Sequence, residues 1–127
     1  MASRSYIGIE NEQGYIQAVY CHWDGYLEHN GLILFKDYNS RGKISLLINQ
    51  GALSSLGQTI AKCNFYIHQG EALDIIKFED REEFVSDAFG DAGSVYLFTK
   101  EDKWIYWDHN ADKPPIDLEL AILRLDK

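Results

Sequence analysis

Residues 15–21, YIQAVYC, carry apolar or aromatic side chains at odd and even positions alike. Neighbouring side chains of an extended chain point to opposite faces. Tyr15, Gln17, Val19 and Cys21 therefore share one face, and Ile16, Ala18 and Tyr20 share the other with His22. A strand that is apolar on both sides needs cover on more than one side. SYIGIE (5–10) precedes it, across the polar connection NEQG, and the pair reads as a hairpin. SVYLFTKEDKWIYW (94–107) reads as a second hairpin turning at KEDK. Alternation in WIYW separates Trp104 and Tyr106 from Ile105 and Trp107, so one pair is expected to fill the core and an exposed pair would mark a binding surface.

Helix signals lie between and after these hairpins. Asn30 is expected to cap GLILFKDY, and Ser40 to cap RGKISLLINQ, which stops at Gly51. ALSSLG (52–57) reads as a tight turn or a short helical piece. TIAKCNFYIH and EALDIIKFE, separated at Gly70, are expected as strands. Asp80 with Glu83 forms a capping-box pattern ahead of the apolar stripe Phe84, Val85, Ala88 and Phe89, and Gly90 ends that helix. Pro114 and Pro115 break the chain, and the tail IDLELAILRLD is expected to start a helix, with an edge strand as the alternative. No repeat or long linker divides the chain. The expected fold is a single α+β domain over residues 1–127, antiparallel hairpins packed against a few short helices.

At 127 residues, 46% of them hydrophobic and 25% charged, the chain has material for one core, which excludes disorder for its bulk. Its net charge of -8 argues against direct binding to nucleic acid or to an anionic membrane. The N-terminal residues MASRSYIGIE lack the apolar segment of a secretory signal, and no apolar run reaches the roughly 20 residues that span a bilayer. With only Cys21 and Cys63, a cytoplasmic location with free thiols is the expectation, a single disulfide being the alternative.

The word YCHWDGY (20–26) concentrates the reactive residue types. Cys21 and His22 are adjacent and face opposite ways in a strand, so they make no thiolate–imidazole pair with each other, and no cysteine-enzyme signature is present. The expectation is no catalytic residue, with Cys21 a buried hydrophobe. His22, Asp24 and His29 offer a loose metal reading but lack the paired spacing of a zinc site, and DHNAD (108–112) lacks the glycine and distal glutamate of a calcium loop. Neither a metal nor a cofactor is expected. Asp24 and Gly25 read as a turn, with Gly25 at positive φ. Without a phosphate loop, a nucleotide would have to stack on aromatics: Arg4, Tyr20, His22, Trp23 and Tyr26 form the alternative ligand pocket. Carboxylates beside aromatics suit a basic protein surface, the rings anchoring and the charges steering. Glu79, Asp80, Glu82, Glu83, Asp87, Asp91, Glu101 and Asp102 are the expected protein-contact set.

SRSYIGIE, then VYCHWDGY, then Gly31 with Leu34 and Tyr38, then LSSLG (53–57) resemble a family of small bacteriophage and prophage proteins. The likeness covers about the first half of the chain, and no catalytic role comes with it. It implies an accessory protein acting in a bacterial host cell against host defence, in the manner of anti-CRISPR inhibitors that occlude a nuclease complex. The expected function is therefore inhibition by protein binding, the partner a bacterial defence protein or nuclease complex. The alternatives are a nucleotide-binding protein that sequesters a defence signal, and a cysteine-dependent enzyme.

Overall fold

Eight strands make one mixed sheet in the order β4-β3-β2-β1-β6-β7-β8, with β5 paired to β2 outside that path. A computed structural model describes residues 3–110 and 112–126. The strands are β1 (Ser5–Glu10), β2 (Ile16–Cys21), β3 (Leu53–Ser55), β4 (Asn64–Phe65), β5 (Ile76–Phe78), β6 (Ser94–Phe98), β7 (Trp104–Asp108) and β8 (Ile116–Asp117). Helices α1 (Leu32–Asp37), α2 (Arg41–Ile48), α3 (Arg81–Ala88) and α4 (Leu118–Leu123) complete the α+β domain.

Both expected hairpins form, β1 with β2 and β6 with β7, in antiparallel register. Antiparallel pairing is not the whole of the sheet: β1 joins β6 in parallel, and β2 joins β3 in parallel. That parallel seam stitches the two hairpins into one sheet with β1 near its centre. Every residue of β1 is buried.

The two-sided character of the strands is met by helices on both faces. On one face Ile7, Val19, Cys21, Tyr96, Phe98, Trp104 and Tyr106 pack under α1, α2 and α4. On the other, Ile16, Ala18, Val95, Leu97 and Trp107 pack under Phe84, Val85 and Ala88 of α3. Trp104, Tyr106 and Trp107 are accordingly all buried, so WIYW exposes neither aromatic pair. Gly8 allows α3 its approach, because a Cβ there would stand 3.0 Å from the Phe84 ring.

Local expectations divide. The Ser40 and Asp80 side chains cap α2 and α3, accepting from the Lys43 and Glu83 amides, and Gly51 ends the α2 turn at φ +83°. Asn30 is no cap. A wide π-type turn (Leu27–Gly31) runs directly into α1, and the buried Asn30 amide instead donates to Ser5 Oγ at 3.2 Å and Cys21 Sγ at 3.4 Å. Residues 53–55 are strand rather than turn or helix, because the end of β2 offers Leu53 a parallel partner at Cys21. Of the two middle strands only Asn64–Phe65 and Ile76–Phe78 pair; short 3₁₀ turns hold Ile60–Lys62 and Tyr66–Gln69. The tail is strand and then helix, capped by Asp117. Gly25 does not have positive φ; Asp24 does, at 58°, and Gly25 is needed because a Cβ would lie 2.6 Å from the Ser3 carbonyl oxygen. Both cysteines are free and buried. Among the described residues no helix is long and apolar enough to cross a membrane.

Candidate functional site

Helix α3 buries Phe84, Val85 and Ala88 and turns Glu82, Glu83, Ser86 and Asp87 to solvent. Its helical period thus sorts one short segment into a core stripe and a charged face. Glu79 and Asp80 precede it and Asp91 follows it, all exposed. Arg81 is the single cation of residues 79–91. Its guanidinium lies bidentate on buried Glu10, at 2.8 and 2.7 Å, and so is turned away from the outward carboxylates of α3.

The other two carboxylates of the expected contact set belong to a different construction. Glu101 stands 3.7 Å from Arg81, and Asp102 accepts from Arg41 Nε at 2.9 Å. Arg41 also donates to the Glu10 and Thr99 carbonyls, tying the two hairpin ends together. Glu79 and Glu83 line a cleft of about 710 Å³ together with Tyr15, Lys77 and Arg41, so the acidic face acquires a mixed charge at that end.

At the other end of α3 the acidic face meets an aromatic strip. Tyr6 packs on Tyr20, Tyr20 on His22 and His22 on Trp23, with ring centroids 5.6, 5.9 and 4.7 Å apart. The Tyr20 hydroxyl and His22 Nδ1 are 2.6 Å apart. Trp23, at the outer end, is 46% exposed. The Tyr6 hydroxyl donates to Asp91 Oδ2 at 3.2 Å, which joins strip to helix. Burial, then the Asp91 charge, pushes the Tyr6 phenol up to about 12, so it is a hydrogen-bond donor at neutral pH.

Arg4 stands beside Tyr20 on this face. Four of the five residues of the expected ligand pocket, Arg4, Tyr20, His22 and Trp23, are therefore neighbours. Tyr26 stands apart from the aromatic strip, beside Asp24 and His29, and lines a separate cleft with Leu27 and Tyr106; of the other four only Arg4 lines that cleft too. Tyr6 was missed by sequence reasoning, although its alternation with Arg4 in SRSYIG carries the signal.

The reactive residue types do not assemble. Burial pushes the Cys21 thiol up to about 11 against weaker opposing bonds from Asn30, the Trp23 backbone and Ser5. Its Sγ bonds the Trp23 carbonyl at 3.6 Å, an arrangement that keeps it protonated. His22 pairs with Tyr20, and His29 Nδ1 with Asn30 Oδ1 at 2.9 Å, so the two do not share a ligand position with Asp24. Among the described residues no three histidine, cysteine, aspartate or glutamate side chains form a group able to hold a metal ion. In DHNAD, Asn110 Oδ1 accepts from the Asp112 amide, and Ala111 lies outside the described residues. Comparisons of the chain with protein-family models, with curated proteins and with solved structures find no match.

Proposed function

We propose that this chain is a phage or prophage accessory protein that inhibits a bacterial defence nuclease by binding it. Its docking surface is the α3 face together with the adjoining aromatic strip. The observation that carries the reading is the Tyr6–Asp91 hydrogen bond, which makes one continuous surface of the acidic helix face and an exposed Trp23. Such a surface combines a desolvating anchor with charges that steer toward a cationic partner. A defence nuclease supplies that partner in the basic channel that holds its nucleic acid.

The test is co-purification with candidate defence nuclease complexes, with duplex DNA as competitor. Trp23→Ala is expected to weaken the complex by about 2 kcal/mol, as for a central anchor. The triple variant Glu82→Lys, Glu83→Lys, Asp87→Lys is expected to slow association and flatten its salt dependence. Binding that neither variant changes, or that DNA does not compete with, would sink the reading.

A second reading has its own observation, the Arg4 side chain beside Tyr20. A nucleotide stacked on Trp23 with its phosphate at Arg4 would be sequestered on the same strip. A thermal shift with cyclic or ADP-ribose-derived nucleotides, lost in Arg4→Ala, distinguishes it from protein binding.

A further inference from the structure

Strand β5 lies off the path that orders the other strands and pairs with β2 alone. Phe78 stands opposite Ile16, Lys77 opposite Gln17 and Ile76 opposite Ala18. The first hairpin fixes which way the β5 backbone groups point. The Asn11 amide bonds the Tyr15 carbonyl at 2.9 Å, and bonded pairs alternate along an antiparallel ladder. Ile9 with Gln17 is therefore the next bonded pair, which commits the Gln17 backbone to β1. Ile16 and Ala18 turn theirs to Phe78 and Ile76, and the Lys77 amide and carbonyl are left pointing away from the sheet. Asp74, of the same parity as Ile76, agrees: its carbonyl accepts from the Ala52 amide on the inner side. Among the described residues no turn or loop bonds the backbone groups of Lys77 or Glu79.

The side chains along that open edge carry an ordered pair of charges. Lys77 and Glu79 are exposed on either side of buried Phe78, and among the described residues neither joins an ion pair. A strand added antiparallel that sets one residue opposite Lys77 sets its residue two earlier opposite Glu79. It is matched when it reads basic, any, acidic from N- to C-terminus. Lys77-Phe78-Glu79 is itself such a segment. Two copies related by a two-fold axis at Phe78 therefore set each Lys77 opposite Glu79 of the other copy. Lys77 and Glu79 share one parity, so the same pairs can exchange both main-chain hydrogen bonds. Asp80, the next carboxylate, then stands opposite Ile76, and its two copies lie about 14 Å apart along the strands. That exceeds the screening length of about 8 Å at physiological salt.

We propose that β5 is a self-association edge, on which two copies of this chain pair antiparallel across Phe78 with Lys77 and Glu79 matched between them. The exposed lysine keeps other strands off the edge, because only a carboxylate opposite it satisfies the ammonium. A chain of net charge -8 repels its copy at a distance, so the pairing is weak and depends on these two matches. Sedimentation velocity and NMR diffusion on the whole chain test it at about 0.15 M salt, from about 0.01 to about 1 mM chain.

The expected result is a monomer–dimer equilibrium within that range. Amide exchange at Lys77 and Glu79 slows as the concentration rises, while that of Ile76, already bonded to β2, stays the same. Lys77→Glu and Glu79→Lys each set like charges opposite one another and are expected to weaken the dimer about tenfold. An equimolar mixture of the two variants restores dimerisation, because each carries the charges that the other lacks. The double variant Lys77→Glu, Glu79→Lys dimerises as the parent does. Both side chains are exposed, so the circular dichroism of every variant is expected to match that of the parent. A chain that stays monomeric up to about 1 mM overturns the proposal. So does a dimer that both single variants leave intact, or a mixture that associates no more tightly than either variant alone.

Discussion

Glu10 shows how one residue can hold two hairpins. Its side chain is 4% exposed, and burial by itself raises a carboxyl's pKa. Here the Arg81 hydrogen bonds and the Lys100 amide, at 3.0 Å, outweigh burial, so the Glu10 carboxyl titrates below its ordinary value. A carboxyl depressed in the folded state stabilises fully above its unfolded pKa, about 4.3. That contribution is lost as pH falls through the lower folded value. Glu10→Gln is expected to cost about 2 kcal/mol in urea unfolding at neutral pH. The difference from wild type should shrink on acidification below about pH 4; a difference that grew there would contradict the assignment. Nothing in SYIGIE forecasts this role, because Arg81 is 71 residues away. The Gly25 constraint was hidden for a similar reason: the Ser3 carbonyl that forbids a Cβ belongs to another segment.

At the scale of elements, short-range chemistry was the legible part. Caps act over three residues, so Ser40 and Asp80 could be read from their neighbours, and both bond as expected. Asp80→Ala is expected to lower stability by about 1 kcal/mol while keeping the far-ultraviolet circular dichroism of the folded protein. The loss would appear as a lower denaturant midpoint at unchanged slope. Asn30 misled because a buried bond to Ser5 and Cys21 displaced the local capping choice. Residues 53–55 misled because a three-residue strand exists only by virtue of the partner it finds. The acidic stripe of α3 was visible in its period, whereas the capture of its single cation by Glu10 was not.

For the whole molecule, the distribution of charge is the governing quantity. The net charge of -8 says how the chain meets ions, and the pairing of Arg41 and Arg81 with inward or neighbouring carboxylates says where the charge is left over. If the α3 face steers a basic partner, raising the ionic strength from about 0.05 to 0.5 M shortens the screening length severalfold. Association is then expected to slow at least tenfold, with dissociation changing far less, as read by stopped-flow or surface kinetics. Salt-insensitive association would place the anchor, not the helix, in control.

By itself the sequence determined the class of this protein: two hairpins, a few capped helices, an acidic surface, and strands needing cover on both sides. Those properties arise from alternation, capping and charge, each of which operates within a few residues. Only the tertiary structure decided which surfaces exist. The parallel seam of β1 and β6 sets Ser5 beside Ser94. That one register places Tyr6 within reach of Asp91 on one face and opens the Tyr26–Leu27–Tyr106 cleft on the other. Pairings across some ninety residues depend on which edges are free once the hairpins have formed, and no local pattern encodes that.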